Sequence, residues 1–153
     1  MRVVENNEKK RFAVSGAVGP ELRICAQQGH SKGVASKVQA DLLYQRMTSP
    51  PTRCIHGTYL KFWDSIRKEG LSRKTREHIH FTDLETPQDQ GQVSGFRASC
   101  EILIYLDVAR AMKDGCEFFR SGNGVILSSG WNGVIPSKYF SKVTRINGEE
   151  MPM

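Results

Sequence analysis

The chain has 153 residues, of which 39% are hydrophobic, and a formal net charge of +6 from 22 Lys and Arg against 16 Asp and Glu. A chain of this length can bury one substantial core, so we expect one main domain with a small appendage. No apolar run approaches the roughly 18 residues of a membrane-spanning helix, and we expect an intracellular protein of the cytoplasm or nucleus. The basic excess favours an acidic partner, with nucleic acid as the first candidate.

The four cysteines stand far apart in the sequence, at Cys25, Cys54, Cys100 and Cys116. None of them forms a Cys-x-x-Cys pair, and Cys54 with the nearby His56 is too sparse a ligand set for zinc. Their apolar neighbours favour buried free thiols in a reducing compartment. We therefore expect neither a disulfide nor a structural metal.

Two short strands are predicted near the N-terminus, at residues 9–14 and 22–26, and they could pair as a hairpin. The second strand leads into the polar loop Gln27–Ser31, which could grip a phosphate or a ribose; an ordinary polar turn is the alternative. Residues 32–53 keep no single apolar period, which indicates a linker with a short extended piece at 41–44.

The stretch Cys54–Gly70 runs from a turn rich in hydrogen-bonding groups into an amphipathic pattern. This pattern predicts a helix that begins at Thr58 or Tyr59 and ends at Gly70. The first amide protons of such a helix are unpaired and its dipole is positive there, which favours a polar or anionic ligand. The sequence His-Gly-Thr at 56–58 is therefore predicted to form the floor of a nucleotide pocket.

A strand is predicted at His78–Phe81, with its two histidines on one face. These histidines could hold a metal, but hydrogen bonding to a ligand or to the backbone is favoured because no third ligand has a matching spacing. Further along, Arg97 precedes the apolar run Ile102–Leu106, which predicts a central strand. An arginine held at that edge could bind phosphate bidentately; a solvated arginine is the alternative.

The C-terminal third is predicted to contain short elements. Asp107 is expected to cap a short helix, and Asn123-Gly124 predicts a hairpin turn before a strand at 125–127. A short helix is expected around 138–140 and a disordered tail over 147–153. Short strands in pairs with few, short helices indicate an α+β fold with small antiparallel sheets.

Seven segments occur in the order and rough spacing found in the tRNA 2'-phosphotransferase family. They are KKRF (9–12), QQGHS (27–31), HGT (56–58), HIHF (78–81), SGFR (94–97), FFRSGNGVIL (118–127) and PSKYF (136–140). The likeness covers about residues 3 to 143. The chain therefore resembles this family along most of its length.

The resemblance implies a catalytic lobe related to ADP-ribosyltransferases and an NAD-dependent, metal-independent reaction. The 2'-phosphate left at a tRNA splice junction would attack the nicotinamide ribose of NAD and form an RNA-2'-phospho-ADP-ribose intermediate. The neighbouring ribose hydroxyl would then attack the phosphorus, which yields 2'-hydroxyl RNA and ADP-ribose 1'',2''-cyclic phosphate. Arginines suit such work because their planar forks orient phosphate oxygens and stay charged.

The resemblance also implies roles for individual residues. The third and fourth members of the family's catalytic set, Arg-His-Arg-Arg, fall on Arg11 and Arg97. The NAD-binding residues would be His56, Gly57, Thr58, Ser121, Asn123 and Gly124. The residues near the substrate phosphate or RNA would be Lys10, Gly29, His30 and Ser31.

The first two catalytic members lie in an upstream Leu-Arg-His motif of a winged-helix lobe in the family, and this sequence contains no such motif. We accordingly interpret residues 1–48 as the remnant of an RNA-binding lobe with a linker, 49–146 as the NAD-binding catalytic lobe and 147–153 as a tail, and we expect impaired activity from this chain alone. Two alternatives follow: an enzyme that ADP-ribosylates terminal phosphates of RNA or DNA, and a non-catalytic binder of NAD or RNA.

Overall fold

The computed structural model describes residues 12–15, 23–26, 44–84 and 99–153. The strands in these ranges are β1 (Phe12–Ser15), β2 (Arg23–Ala26), β3 (Tyr44–Arg46), β4 (Ile55–Thr58), β5 (Leu71–Ser72), β6 (Ile79–Phe81), β7 (Ile102–Leu106), β8 (Phe119–Ser121), β9 (Ile126–Ser128), β10 (Val134–Ile135) and β11 (Phe140–Arg145). The helices are α1 (Trp63–Glu69) and α2 (Val108–Lys113), with short 3-10 turns at Leu60–Phe62 and Ser137–Tyr139. None of the helices in these ranges is long and apolar enough to cross a membrane.

The described strands form two larger and two smaller sheets. One larger sheet has the order β4-β7-β11 and the other has the order β3-β8-β9-β6. The strand pairs β1/β2 and β5/β10 stand as two-stranded sheets. Every described pairing is antiparallel, which confirms the predicted α+β class and the predicted pairing of the two N-terminal strands.

Strand β7 lies at the centre of the three-stranded sheet, between β4 and β11. Its sequence, ILIYL, is apolar throughout because both of its faces are covered; Ile102 and Ile104 are fully buried. A strand that is buried on both sides gains from a continuous apolar run. The prediction of a central strand here is confirmed.

The core is drawn from both larger sheets and both helices. Its members include Phe81, Phe118, Ile126, Ile104 and Val143 from the sheets and their flanks, with Trp63 from α1 and Ala111 from α2. Burial of such side chains contributes about 1.5–3 kcal/mol each, so this shared core fixes the two sheets against each other. The candidate site described below lies where those sheets meet.

The predicted helix start at Thr58 or Tyr59 is wrong. His-Gly-Thr lies within strand β4, a 3-10 turn follows at Leu60–Phe62, and α1 begins only at Trp63. Tertiary pairing of β4 with β7 overrides the local helical pattern. His-Gly-Thr is therefore strand backbone that precedes the 3-10 turn, whose N-cap is Tyr59, and it is not the N-terminus of α1.

The predicted helix end at Gly70 is confirmed. Gly70 has φ 91°, and its amide donates to the carbonyl oxygen of Ile66 at 2.8 Å. A Cβ at this position would lie 2.4 Å from the carbonyl oxygen of Ile135. Only glycine tolerates both that conformation and that close approach.

Several other local predictions are confirmed with small shifts in their bounds. Asp107 caps α2, because its Oδ1 accepts a hydrogen bond from the amide of Arg110 at 3.0 Å. Strands β8 and β9 form an antiparallel hairpin around Asn123-Gly124. Of the extended piece predicted at 41–44, residues 41–43 lie outside the described residues, and Tyr44 begins β3.

One C-terminal prediction is confirmed and one is wrong. The short helix expected around 138–140 is the 3-10 helix Ser137–Tyr139, and the six-residue strand β11, which the sequence did not predict, follows at once and pairs with β7. The tail expected to be disordered instead returns along β11: Glu150 bridges with Thr144, and the amide of Met151 donates to Val143 at 2.8 Å. The apolar pattern of β11 is too weak to predict a strand, and the strand forms because it pairs with β7.

Candidate functional site

The two larger sheets are joined at one point, where strands β4 and β6 come together and then separate. Ile55 and Thr82 exchange two backbone hydrogen bonds, of 2.8 and 2.9 Å. This bridge is isolated, so the ladder between β4 and β6 does not continue along the strands. We call the opening between β4 and β6 beyond this bridge the fork. Its closed end is at Ile55 and Thr82, and its open end faces Thr58 and the residues that precede β6.

His56 lies inside the fork and its ring is fixed there. The Nδ1 atom donates to the carbonyl oxygen of His80 at 2.9 Å, and the ring packs edge-on against Phe81 with centroids 5.8 Å apart. Burial lowers the pKa of His56, and the charge of Arg76 adds to this effect. His56 is therefore neutral near pH 7 with its proton on Nδ1, which leaves Nε2 as a hydrogen-bond acceptor.

The backbone of Gly57 faces the fork. Along β4, hydrogen bonds to the two neighbouring strands alternate from residue to residue. The amide of Leu106 donates to Cys54, so Cys54, His56 and Thr58 direct their backbone groups toward β7. Gly57 therefore directs its N–H and C=O the same way as Ile55, toward β6. Since the ladder has ended, these groups open into the fork, where a small ligand can reach a backbone without a side chain.

His80 is a fork residue that the sequence interpretation did not assign to the site. It is half-buried, and its Nδ1 is buried without a hydrogen-bond partner among the described residues. Burial lowers the pKa of His80 to about 4, with a further contribution from the charge of Arg76. An unpaired buried ring nitrogen costs free energy that a ligand can recover. The HIHF block among the family-like segments was the signal that pointed to it.

Ser121, Asn123 and Gly124 lie in the turn between β8 and β9. The Oγ of Ser121 donates to Oδ1 of Asn123 at 2.6 Å and accepts from the amide of Val125 at 3.1 Å. Gly124 closes the turn at φ 87°, where its amide donates to the carbonyl oxygen of Ser121 at 2.9 Å. Both Ser121 and Asn123 are buried, so the turn is a rigid polar unit.

The register of the four-stranded sheet places His80 and Ser121 on the same face. His80 is opposite Leu127, and Leu127 is opposite Phe119 on the next strand. Residues directly opposite each other in an antiparallel pair share a face, and so do residues two apart along a strand. Ser121 therefore joins His80 on the face that Phe119 occupies. Two strand spacings, roughly 10 Å, separate β6 from β8.

Arg120 connects the 121–124 turn to the closed end of the fork. Its Nη1 lies 3.0 Å from Oδ2 of Asp83, the residue after Thr82, and it also donates to the carbonyl oxygen of Gly124 at 3.3 Å. A charge-assisted contact of this kind is stronger than a neutral one. The structure thus connects the 121–124 turn to the fork through one arginine.

The other site predictions lie outside the described residues. They are Lys10, Arg11, Gly29, His30, Ser31 and Arg97. Their roles remain predictions. Thr58 ends β4 and is buried, with its carbonyl oxygen accepting from the amide of Glu101 at 2.9 Å.

The cysteines of residues 44–84 and 99–153 are buried free thiols, as predicted. They are Cys54, Cys100 and Cys116. Burial raises the pKa of each thiol, most strongly that of Cys54. A raised pKa keeps a thiol protonated and inert, so none of the three suits nucleophilic chemistry. Within the part of the chain that the structure describes, no three His, Cys, Asp or Glu side chains are grouped as metal ligands.

The structure is thus a small α+β domain in which the two larger antiparallel sheets meet at the fork. Residues 1–130 match the family model described as RNA 2'-phosphotransferase, Tpt1 / KptA family. The chain belongs to this RNA 2'-phosphotransferase family.

Curated relatives agree with this assignment. A Schizosaccharomyces pombe protein provisionally named tRNA 2'-phosphotransferase is 45% identical over 150 residues, which are 97% of this chain. The tRNA 2'-phosphotransferase 1 proteins of Danio rerio and Homo sapiens are each 41% identical, over 95% and 99% of this chain. The chain spans 40, 64 and 60% of the lengths of these three relatives, respectively.

Proposed function

We propose that this chain forms the ADP-ribosyltransferase-like lobe of an NAD-dependent enzyme that removes the splice-junction 2'-phosphate from ligated tRNA. One observation carries the proposal most directly. This chain of the RNA 2'-phosphotransferase family places a fixed neutral imidazole at His56, a glycine backbone at Gly57 and a buried ring nitrogen without a described partner at His80 on the two strands that border the fork. These groups match the hydroxyl and amide groups of a dinucleotide.

Each group in the fork is assigned one contact with the dinucleotide. The Nε2 atom of His56 accepts a hydrogen bond from a ribose hydroxyl of the dinucleotide, because its Nδ1 proton is engaged by His80. The N–H and C=O of Gly57 bind the carboxamide of the nicotinamide ring, which carries one acceptor and two donors. The turn formed by Ser121, Asn123 and Gly124 supplies a rigid wall on the second sheet.

NAD is a substrate in this proposal, and it supplies the ribose carbon that the RNA 2'-phosphate attacks while nicotinamide leaves. The nucleophile is already an anion, so the protein's main task is to align two polyanions. Arg11 and Arg97 are the proposed phosphate-binding residues for this alignment. In the second step, a ribose hydroxyl attacks the phosphorus and the RNA 2'-oxygen leaves, while positive charge stabilises the phosphoryl oxygens.

The test is an incubation of the complete protein with NAD and an oligoribonucleotide that carries one internal 2'-phosphate. The expected products are nicotinamide, RNA with a 2'-hydroxyl and ADP-ribose 1'',2''-cyclic phosphate, resolved by liquid chromatography and mass spectrometry. An oligonucleotide of the same sequence without the 2'-phosphate is the matched control and should release no nicotinamide. An RNA adduct that carries ADP-ribose and persists would support the terminal-phosphate alternative, and an absence of nicotinamide release would overturn both.

A further inference from the structure

Arg76 lies at the open end of the fork. The bridge between Ile55 and Thr82 closes the fork at the C-terminal end of β6, so the residues before β6 lie at the other, open end. Arg76 stands three residues before the first residue of β6 and is exposed. Arg76 therefore stands close in sequence to the end of the fork that the bridge leaves open.

The turn that carries Arg76 is fixed by its own backbone and by Arg73. The amide of Arg76 donates to the carbonyl oxygen of Arg73 at 3.0 Å, and the amide of Arg73 donates to Gly133 at 2.9 Å. The Arg73 side chain packs so closely on Gly133 that a Cβ there would lie 2.7 Å from its Nε. Its Nη1 also donates to the carbonyl oxygen of Glu77 at 3.4 Å. Arg73 therefore has a structural role, and it holds the turn from which Arg76 projects.

The charge of Arg76 is not neutralised within the described ranges. The ion pairs of residues 44–84 and 99–153 join Arg46 to Glu117, Arg120 to Asp83 and Arg145 to Glu149, and none of them includes Arg76. The charge of Arg76 also acts on the two histidines of the fork, where it adds to burial in lowering the pKa of both His56 and His80. A guanidinium beside two neutral imidazoles makes this end of the fork favourable for an anion.

We propose that Arg76 binds a phosphate group of the ligand whose ribose contacts His56 in the fork. A guanidinium presents paired N–H donors that fit two phosphate oxygens and keeps its charge at every physiological pH. This inference rests on the proposed function and adds a phosphate-binding residue to it. The phosphate has two sources in that reaction: the pyrophosphate of the dinucleotide and the 2'-phosphate of the RNA.

The test compares three variants of the full chain by titration calorimetry. Arg76→Gln removes both the charge and the paired N–H donors of the guanidinium. Arg76→Lys keeps the charge but not the paired donors. Lys74→Gln is the matched control, because Lys74 is an exposed cation of the same turn whose side chain has no described contact. The probes are ADP-ribose with adenosine as its phosphate-free counterpart, and the 2'-phosphorylated oligonucleotide with its 2'-hydroxyl counterpart.

We expect Arg76→Gln to weaken one phosphorylated probe by about ten-fold or more, the usual cost of losing a charge-assisted pair, and to leave its phosphate-free counterpart within about two-fold. Loss confined to ADP-ribose identifies the pyrophosphate as the partner, and loss confined to the phosphorylated RNA identifies the 2'-phosphate. Arg76→Lys should recover only part of the lost affinity, since an ammonium group cannot replace the paired donors of the planar guanidinium.

Two results would overturn the inference. One is unchanged affinity of Arg76→Gln for both phosphorylated probes, and the other is an equal loss in Lys74→Gln, which would indicate a general effect of net charge. If the unmodified chain binds neither phosphorylated probe, the proposed function fails together with this inference. A separate readout verifies the placement of Arg76 without any ligand: the pKa of His80, followed by NMR, should rise from about 4 in Arg76→Gln.

Discussion

The Nδ1 atom of His56 is hydrogen-bonded to the carbonyl oxygen of His80 across 2.9 Å, at the level where the backbone ladder between β4 and β6 has already ended. In a continuing ladder, that carbonyl would accept from the amide of Gly57. The imidazole takes the place of this amide and leaves it available to a ligand. His56 thus supports the fold and the proposed site with its two different nitrogens.

Substitution of His56 can separate these two roles. His56→Ala should lower the free energy of unfolding by about 1–3 kcal/mol, because the buried carbonyl of His80 loses its donor. His56→Asn can still donate to that carbonyl and should regain part of the stability, while both variants should weaken ADP-ribose binding. Urea denaturation and calorimetry give the two quantities. Wild-type affinity in His56→Asn would remove His56 from the ligand site.

The low pKa of His80 makes stability depend on pH in a defined window. The folded protein holds His80 neutral down to about pH 4, whereas the unfolded chain takes up the proton near pH 6.5. The stability contribution is therefore complete above pH 6.5 and is lost as the pH falls toward 4. We expect a loss of up to about 2 kcal/mol in unfolding free energy between pH 7 and pH 5 from this group.

His80→Gln is the control for that pH dependence, since it cannot titrate. Its unfolding free energy, measured in urea at the same two pH values, should fall by less than that of the unmodified chain. Burial shifts the pKa values of His56 and His78 in the same direction, so both add slope of the same sign. Parallel pH profiles for His80→Gln and the unmodified chain would contradict the prediction.

Ser121 and Ser128 offer a matched pair of buried hydroxyls. The Oγ of Ser121 bonds within the turn on the face shared with His80, while the Oγ of Ser128 donates to the carbonyl oxygen of Glu117 at 2.7 Å on the core face. Each Ser→Ala substitution should cost about 1–3 kcal/mol of stability, because polar partners are left unpaired. Only Ser121→Ala should also weaken ADP-ribose binding, as calorimetry would show. Equal effects of both substitutions on binding would exclude a role for the turn in the site.

Arg97 is the fourth member of the catalytic set that the family resemblance implies, and its predicted role can be tested by activity. Arg97→Ala is expected to abolish 2'-phosphate transfer, with a loss of at least about a hundred-fold, while circular dichroism and the melting temperature stay unchanged. Arg67→Ala is the control, because Arg67 is exposed on α1 and joins no ion pair in the described residues. Near-normal turnover in Arg97→Ala would remove Arg97 from the reaction.

The buried thiols should resist modification. At pH 8 the raised pKa values of Cys54, Cys100 and Cys116 keep the thiolate fraction small, and burial excludes the reagent. Treatment of the folded chain with a disulfide reagent should therefore label these three residues only after urea is added, as peptide mass spectrometry would detect. Rapid labelling of Cys54 without urea would indicate that the closed end of the fork opens readily.

The sequence predicts local elements well where a single residue type governs them. Asp107 caps α2, Gly70 ends α1 and Asn123-Gly124 turns a hairpin, because each depends on backbone conformation or on one nearby hydrogen bond. The strand at His56 and the strand β11 escaped prediction because each depends on pairing with β7, which is distant in the sequence. Local propensity favours a helix after His56, but the tertiary pairing is stronger.

The sequence singled out residues of β4 and of the 121–124 turn for the site but not their arrangement, and their roles remain predictions. Family-like blocks pointed to His56 and to the 121–124 turn, and the structure connects them through Arg120 and Asp83. The sequence could not show that β4 and β6 part after one bridge, since strand separation leaves no pattern in composition or period. For the same reason it could not show that Arg76 stands beside the opening, or that His80 keeps a buried ring nitrogen without a described partner there.

The single bridge between Ile55 and Thr82 has a consequence for how an occupied site behaves. A molecule that forms hydrogen bonds to Gly57 on β4 and to His80 on β6 would supply a connection between these strands that the protein lacks. It would couple the two sheets as a cross-link does. Occupancy and folding would then be linked by mass action, so saturation at a hundred times the dissociation constant would add about 2.7 kcal/mol of stability. A ligand bound in the fork would in this sense complete the hydrogen bonding between β4 and β6.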